Sequence, residues 1–537
     1  MPERHVPVLV VGGSLVGLTT SVLLARYGVP HLLVESHAGT AIHPRAASFH
    51  QRTMEVFRAA GLQRDVEESA AKEFRQGGAI VAVESLGGKE LAYFYRSYND
   101  GVEGLSPTDR LFITQVGLEP ILQQRARANG AELMFGTDLV SFEERDDHVV
   151  SVIRARDGGP PEVVVSDYLV AADGAHSAVR QGLGIPMTGR GSFADCITIY
   201  FKSDVNKLMG QRNLSVVYVN HPQLTGFFRF SFAGDSGFLA VFSTVEADGS
   251  KDTHVGADIS ADRCADLVRT ALGSEPDQPV EIESVQQWSA MANTAERFQS
   301  GRVFLAGDSA HVMPPTGGFG GNTGVADAHN LAWKLAFVTR GTAGRRLLET
   351  YDAERRSIAA LTVEQAYTRY VLRVDNSLPK DDLMPPLDDP AIELGAIYRS
   401  TAVLDDQVPP QQLDDPHARS WIVGGRVPHV PLSADGRDIS SLDAAWPGFA
   451  VLADAGLDQW RRAAAEVGEA LGADVTVFAV DPAALPASAP PETAGSGWTG
   501  AALIRPDGVI AWKPSMPADA PGHLVAAMTR LLSRDES

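Results

Sequence analysis

Val6–Val11 (VPVLVV) is an unbroken apolar run, of the length and kind expected for a strand buried on both faces. It runs into Gly12-Gly13-Ser14-Leu15-Val16-Gly17, after which apolar positions recur at helical spacing as far as Arg26. A second short apolar run, His31–Val34, closes at Glu35. Together they predict strand, glycine turn, helix and strand. Further along, Met54, Val56, Phe57 and Leu62 mark a helix, and AIVAVESL and ELAYFYR read as strands. A helix over about Val116–Ala128 is followed by a strand returning to the first sheet. Tyr168–Ala172 and Val303–Ala306 are two more short apolar runs, ending in Asp173-Gly174 and Gly307-Asp308.

Between residues 185 and 290 the pattern changes. ITIYFKS, LSVVYVN, TGFFRFSFA, GFLAVFSTV and VEIESVQQW alternate or are rich in aromatics, which predicts an antiparallel sheet. Helical spacing returns over Arg345–Arg373, and then comes a stretch dense in proline and aspartate (Pro379, Pro385, Pro386, Pro390, Pro409, Pro410, Pro416). That composition predicts a connector. Beyond it, FAVLAD, a helix over Asp458–Gly472, VTVFAV, a hairpin around Pro506-Asp507-Gly508 and a closing helix to Leu532 follow the thioredoxin order. This region has no cysteine, so it cannot run dithiol chemistry, and a packing or oligomer module is expected.

The predicted class is α/β. A Rossmann-like domain spans 1–75, 110–184 and 291–375. A mostly antiparallel β-sheet domain, 76–109 and 185–290, is inserted into it. A connector (376–416) and a thioredoxin-like α/β domain (417–537) complete the 537 residues.

Composition narrows the function. An apolar content of 44% and a charged content of 21% are those of an ordinary globular chain. A net charge of −21 argues against nucleic acid and against anionic membranes as partners. Two cysteines, Cys196 and Cys264, exclude a disulfide framework and a cysteine-rich metal cluster, and no metal is expected. The first apolar run is strand and glycine turn rather than a leader, and no run reaches membrane-spanning length, so a cytoplasmic protein is expected. The oligomeric state is open, monomer or homo-oligomer.

Three motifs carry candidate chemistry. Gly12–Gly17, with Glu35 about 20 residues on, has the layout in which a helix N-terminus takes a pyrophosphate and the acid takes a ribose hydroxyl. Ser14 replaces the middle glycine of that fingerprint. The Asp173-Gly174 turn ends a second strand. The third motif, Gly301–Ala336, passes from a strand through Asp308 and two prolines to a glycine cluster, with Asn322 the expected N-cap of the next helix. A glycine loop at a helix N-terminus suits an anionic or electron-rich ligand. Three strand ends bearing Gly or Asp predict one site at the carboxyl edge of a parallel sheet.

In this order GGSLVG, ADGAHSAVR and GRVFLAGDSAH…PPTGGFGGNTG resemble the class A flavin-dependent aromatic hydroxylases, those with the p-hydroxybenzoate hydroxylase fold. PRAASFHQRTMEVF, LEPILQQRA and YRSTAVL are similar to the branch that tailors aromatic polyketides, aklavinone hydroxylase among them. The resemblance implies bound FAD, NADPH or NADH as transient reductant, O2, and hydroxylation of a phenolic ring through a flavin C4a-hydroperoxide. It assigns Gly12, Ser14, Leu15, Val16 and Gly17 to the FAD pyrophosphate and adenylate, and Glu35 to the ribose. Arg45 and Gln115 fall to the phosphate and ribityl region and Leu139 to the adenine. Asp173 falls to the Asp-Gly motif, Asp308 to the ribityl hydroxyls, and Pro315, Gly318, Gly320, Gly321 and Asn322 to the flavin's pyrimidine edge. It implies that Arg373, with Arg45, is catalytic.

Arginine stays protonated, so the role expected of Arg373 is to stabilise a substrate phenolate. His311 is expected to be a hydrogen-bonded structural histidine. Tyr218, Phe228, Phe230 and Trp288 are the expected substrate walls, drawn from a sheet that also offers Tyr200, Phe201 and Phe227. Alternation puts Phe228 and Phe230 on one face and Phe227 and Arg229 on the other, and leaves open which face is inside. Baeyer–Villiger oxidation, antibiotic inactivation and non-catalytic binding of FAD or a polyketide stay open on the same scaffold. A halogenase is disfavoured, because none of the seven tryptophans forms a W-x-W pair.

Overall fold

The computed structural model describes residues 3–42, 47–245, 250–256, 259–404, 410–434, 436–481, 498, 500–514 and 520–534. The apolar runs at Val6–Val11, His31–Val34 and Tyr168–Ala172 meet in one sheet. Its strands are β1 (Glu3–Val11), β2 (His31–Glu35), β5 (Glu132–Phe135), β8 (Glu162–Ala171), β15 (Gln299–Ser300) and β16 (Val303–Leu305), in the order β15-β16-β8-β1-β2-β5. From β16 to β5 all neighbours are parallel. The register levels their ends: Val11 is opposite both Val34 and Ala171, and Ala171 is opposite Leu305. An antiparallel hairpin, β6 (Thr137–Glu144) and β7 (Val149–Ala155), joins through β8. Helices α1 (Leu15–Arg26), α4 (Gln115–Ala128) and α8 (Phe319–Thr339) pack on this sheet, with α2 (Gln51–Ala59), α3 (Gln63–Glu73) and the short α5 (Ala178–Gly182) around them.

The second sheet combines β3 (Ala79–Val83), β4 (Glu90–Tyr95), β9 (Met187–Lys202), β10 (Leu214–His221), β11 (Leu224–Phe230), β12 (Ser236–Val245), β14 (Glu281–Ala295) and β17 (His311–Val312), with β13 (Lys251–Asp252) beside β12. Pairing is antiparallel except between β10 and β3. Alternation sends Ile197, Ile199, Phe201, Val217, Phe228, Phe230, Leu239 and Val241 to one face. That face is sealed by α7 (Ala261–Leu272), through Cys264, Leu267, Val268 and Leu272. The helix is an addition to the mostly antiparallel strands expected for 185–290. Its signal was local: the Ser260 hydroxyl accepts from the Arg263 N–H, a helix cap, and apolar positions follow at helical spacing.

The other face, with Ala194, Cys196, Phe242 and Ala290, meets Tyr370 and Val374 at the end of α9 (Thr350–Arg373). Both cysteines are thus buried and free. A one-turn α6 (Asn206–Met209) flanks the sheet, and α10 (Asp389–Leu394) lies in the proline-rich stretch.

After a small hairpin, β18 (Pro431–Ala434) and β19 (Arg437–Ser440), the C-terminal region folds as β20 (Phe449–Ala453), α11 (Leu457–Leu471), β21 (Val475–Ala479), β22 (Ala501–Ile504), β23 (Ile510–Trp512) and α12 (Leu524–Leu531). The sheet order is β21-β20-β22-β23, with β20 and β21 parallel and the rest antiparallel, as in thioredoxin. It docks on α8. Phe449 meets Trp333 and Phe337 edge-on at 5.8 and 5.5 Å between centroids, and one apolar core runs through both regions.

Candidate active site

At the carboxyl edge of the first sheet the β1–α1 turn is built by close backbone approach. Gly12 has φ +106°, and a Cβ there would lie 2.1 Å from the Ala172 carbonyl oxygen. A Cβ on Gly17 would lie 1.8 Å from the Gly12 oxygen. These two positions admit only glycine. Leu15 and half-buried Val16 continue into α1. Ser14 precedes the helix but makes no capping bond, so the first-turn N–H groups stay available to a ligand. The Ser14 hydroxyl instead donates to Glu119 Oε1 at 2.6 Å. Glu119, fully buried on α4, also accepts from Gln115 Nε2 (3.0 Å) and the Ala41 N–H (2.7 Å). Gln115 Nε2 lies 3.2 Å from the Ser14 oxygen as well. The departure at Ser14 is therefore tied to a buried acid that sequence reasoning passed over, because Glu119 sits in LEPIL like a surface residue of an amphipathic helix.

Glu35, at the end of β2, accepts from the Gly13 N–H at 2.5 Å and from the His37 N–H at 2.7 Å. Burial alone would raise its pKa. The hydrogen bonds from His37 and Gly13 outweigh that and hold the carboxyl below its ordinary value. The Gly136 N–H donates to the His37 carbonyl at 2.8 Å, which brings the start of β6, the strand of half-buried Leu139, beside this edge.

The other two motifs are tied to each other. Asp173 accepts from the Val179 N–H and from the Ser309 hydroxyl, both at 3.1 Å. Buried Arg180 donates to the carbonyls of Ser309 (2.9 Å) and Ala175 (3.0 Å). Asp308 lies between, in a single 3-10 turn, and is exposed. Beneath this turn the fully buried Asp327 of α8 accepts from the Gly307 N–H (3.0 Å), His311 Nε2 (2.8 Å) and Arg355 Nε (2.8 Å). Since a carboxylate only accepts, His311 carries its proton on Nε2 and is structural. Burial would raise the pKa of Asp327, but Arg355 and His311 hold it below its ordinary value. On α8 an acid among Val325, Ala328, Leu331 and Ala332 was the available signal for Asp327.

Helix α8 starts three residues before the expected cap. Gly318, at φ +69°, precedes Phe319, and its N–H closes a turn on the Pro315 carbonyl at 3.0 Å. Asn322 is inside the first turns and serves differently. Its Oδ1 accepts from the His50 N–H (2.9 Å) and the Thr53 hydroxyl (2.6 Å), and its Nδ2 donates to the carbonyls of Ser48 and Gly318. A Cβ on Gly320 would meet only Met313, at 3.7 Å, so protein packing does not require glycine there. Half-buried Gly321 follows it. Two open helix N-termini, two acids at strand ends and a glycine cradle that protein packing does not require suit a dinucleotide with a planar ring system at the α8 end. Arg45 lies outside the described residues.

The second sheet carries an aromatic face on its α9 side. Tyr218 is 5.6 Å from Phe94 and 5.9 Å from Phe227, and Phe242 is 6.1 Å from Trp288, centroid to centroid. Trp288 Nε1 donates to the Thr198 hydroxyl at 3.0 Å. Arg373, half-exposed at the end of α9, stands 4.9 Å over the Phe94 ring, and its charge acts on the hydroxyl of Tyr218, the neighbour of Phe94. Burial pushes the Tyr218 hydroxyl above its ordinary pKa despite Arg373. Tyr218 therefore stays protonated and keeps its O–H to give. Arg369, one turn earlier, is buried against Asp389 (2.5 Å) and lies 5.2 Å from the Phe319 ring, where it fixes the α8 loop. Phe228 and Phe230 do not join this wall. They stack at 5.0 Å on the opposite face, in the core under α7, with Phe201. Of the four expected wall residues, only Tyr218 and Trp288 share the Arg373 side.

Comparison with known proteins bears on both parts of the chain. The FAD binding domain family matches residues 5–366, and the aromatic-ring hydroxylase C-terminal family matches 420–534. The chain is 44% identical to a 4-methyl-5-nitrocatechol 5-monooxygenase from Burkholderia sp over 99% of its own length and 98% of the relative's. It is 38% identical to a tetracenomycin B2 monooxygenase-dioxygenase from Streptomyces olivaceus, over 99% and 100%. The crystal structure of aklavinone-11 hydroxylase in complex with FAD and aklavinone superposes with a TM-score of 0.89 at 36% identity, covering 99% of this chain and 100% of that one.

Proposed function

This chain belongs to the FAD-dependent aromatic-ring hydroxylases, and from that premise we propose that it consumes NAD(P)H and O2 to hydroxylate a phenolic or catecholic ring. It is an FAD-dependent aromatic monooxygenase. In the balanced reaction one oxygen atom enters the ring, the other leaves as water, and NAD(P)H is oxidised. Bound FAD supplies electron transfer from the nicotinamide and activation of O2.

The chain's own residues bind, orient and exclude water. The N-terminus of α1 (Gly12, Ser14, Leu15, Val16, Gly17) would receive the pyrophosphate, with Gln115 beside Ser14 and Glu119 fixing it. Glu35 would take the adenosine ribose, Leu139 the adenine, and Asp308 the ribityl hydroxyls. Asp173 holds Ser309 and so the turn that presents Asp308. Pro315, Gly318, Gly320, Gly321 and Asn322, in the loop and first turn of α8, would hold the ring system, where the helix dipole favours negative charge. Arg373 stabilises the phenolate form of the substrate, Tyr218 donates to a ring oxygen, and Trp288 closes the wall.

The observation that carries this proposal is the convergence of level parallel strand ends and the α8 N-terminus on one edge, opposite a wall that ends in the Tyr218–Arg373 pair. The higher identity to a nitrocatechol monooxygenase than to the tetracenomycin enzyme favours single-ring catechols alongside polycyclic phenols. The test is purification with FAD, followed by NAD(P)H oxidation with catechols and hydroxyanthraquinones. Stimulated oxidation coupled to a gain of one oxygen supports the proposal; flavin without response to any phenol refutes it.

A further inference from the structure

Arg229, on β11, shares the face of Phe227 and Tyr218. It is 6% exposed, its Nε has no hydrogen-bond partner, and among the described residues its guanidinium makes no hydrogen bond and no ion pair. It lies between two rings, Phe74 at 5.2 Å and Phe112 at 4.4 Å. The other buried arginines are provided with oxygens: Arg110 with Glu393, Arg180 with the Ser309 and Ala175 carbonyls, Arg355 with Asp327, Arg369 with Asp389, and Arg505 with Glu354 and Asp507. Burial pushes Arg229 down to about 10, which still leaves it charged at neutral pH. A buried charge without a counter-ion is costly, and aromatic faces repay only part of that cost.

Its position shows what a partner would be. Tyr98 stacks on Phe112 at 4.3 Å, and its hydroxyl bonds to that of Ser48, the residue against which a Gly318 Cβ would press at 3.2 Å. On the other side Tyr218 leads to Arg373. Arg229 thus sits along a wall that runs from the glycine loop of α8 to the proposed phenolate-stabilising arginine. Glu73, the acid that acts on Arg229 electrostatically, makes no ion pair with it and accepts from the Thr114 N–H at 2.9 Å.

We propose that Arg229 is a second substrate-binding cation, which pairs with an anionic oxygen on a ring whose other acidic oxygen faces Arg373. The substrate class is then a ring system with at least two acidic substituents, such as a catecholate or a polyhydroxylated polycycle, rather than a simple phenol. This rests on the function proposed above and adds the charge pattern of the ligand.

The test is equilibrium binding to the FAD-loaded protein of 4-nitrocatechol, of alizarin, and of the non-ionisable 1,2-dimethoxy-4-nitrobenzene, for wild type, Arg229→Met and Arg229→Lys. FAD content and melting temperature are read in parallel. Arg229→Met should weaken the ionised ligands roughly 10- to 100-fold, the range for a charge-assisted hydrogen bond, and leave the dimethoxy compound unchanged. Lys should recover part of the loss, and FAD content and melting temperature should hold or rise. Equal effects on ionised and non-ionisable ligands, loss of FAD, a fall in melting temperature with unchanged binding, or failure of wild type to bind either ionised ligand would overturn the proposal. Binding through Arg229 without oxygenation would refute the proposed function alone; oxygenation with unchanged binding in Arg229→Met would refute this inference alone.

Discussion

Arg373 and Phe228 show how much depends on which way a single side chain points. Arg373 ends α9 over Phe94, beside Tyr218. If it stabilises the phenolate of the reacting ring, Arg373→Met should lower kcat/KM for a phenol by roughly 100-fold, with FAD content and melting temperature kept. Steady-state kinetics on the FAD-loaded variant measures this, and an unchanged kcat/KM would remove Arg373 from the site. Phe228 is the opposite case. It is fully buried under α7, so Phe228→Ala should cost about 3–5 kcal/mol of stability and leave KM near the wild-type value. Thermal melts and KM, taken together, check it. Period-two alternation correctly separated Phe227 and Arg229 from Phe228 and Phe230. It could not choose between the faces, because aromatic residues serve a core and a ligand wall equally well.

At the scale of elements, the site depends on what lies beneath its loops. Asp327 holds the Gly307 turn from inside α8 and is itself held by Arg355 from α9. Asp327→Ala would leave a buried arginine and histidine without their acceptor, at about 3–5 kcal/mol. It should lower the melting temperature and FAD retention together, whereas Asp308→Ala, at an exposed position, should lose FAD with little change in melting temperature. A melt and a flavin titration on each variant distinguish the two. The strands and the glycine turns were legible in the sequence because close packing and positive φ demand particular residues, as at Gly12 and Gly17. The buried ties were not: Glu119, Asp327 and Arg355 become partners only once the elements are packed. Helix α7 went unseen for another reason, since it interrupts a run of strands and its Ser260 cap is a short-range signal. Asn322 was misplaced by the cap rule because Gly318 already starts the helix and Asn322 has four other bonds to make.

For the whole molecule, buried charge joins the N-terminal and C-terminal regions. Glu354 and Asp507 enclose Arg505, with Lys334 at 2.8 Å from Glu354 and Asn330 bridging. Glu55 of α2 pairs with Arg426, from the segment that precedes β18. Burial would raise the pKa of Glu55, but Arg426 and Arg52 bring it down to about 2, against 4.5 when free. A depressed carboxyl contributes stability that is present above its unfolded pKa and is lost as pH falls through the folded one. That shift is worth on the order of 3 kcal/mol, lost between about pH 4.5 and 2. Melts across that window should show the wild type losing stability steeply as pH falls, and Glu55→Gln should flatten part of the slope. Equal slopes would mean that the Glu55–Arg426 pair does not couple the two regions. Among the described residues no helix is long and apolar enough to cross a membrane, and no cluster of His, Cys, Asp and Glu could hold a metal.

The central claim is that this edge, with FAD in place, inserts one atom of O2 into a phenolic ring. Turnover of the FAD-loaded protein with NAD(P)H and a catechol under labelled O2, with mass analysis of the product, tests it directly. The account predicts a product carrying one labelled oxygen on the ring, formed in step with NAD(P)H oxidation. A product oxygen derived from water, or NAD(P)H oxidation that yields no oxygenated ring from any catechol or polycyclic phenol, would contradict it.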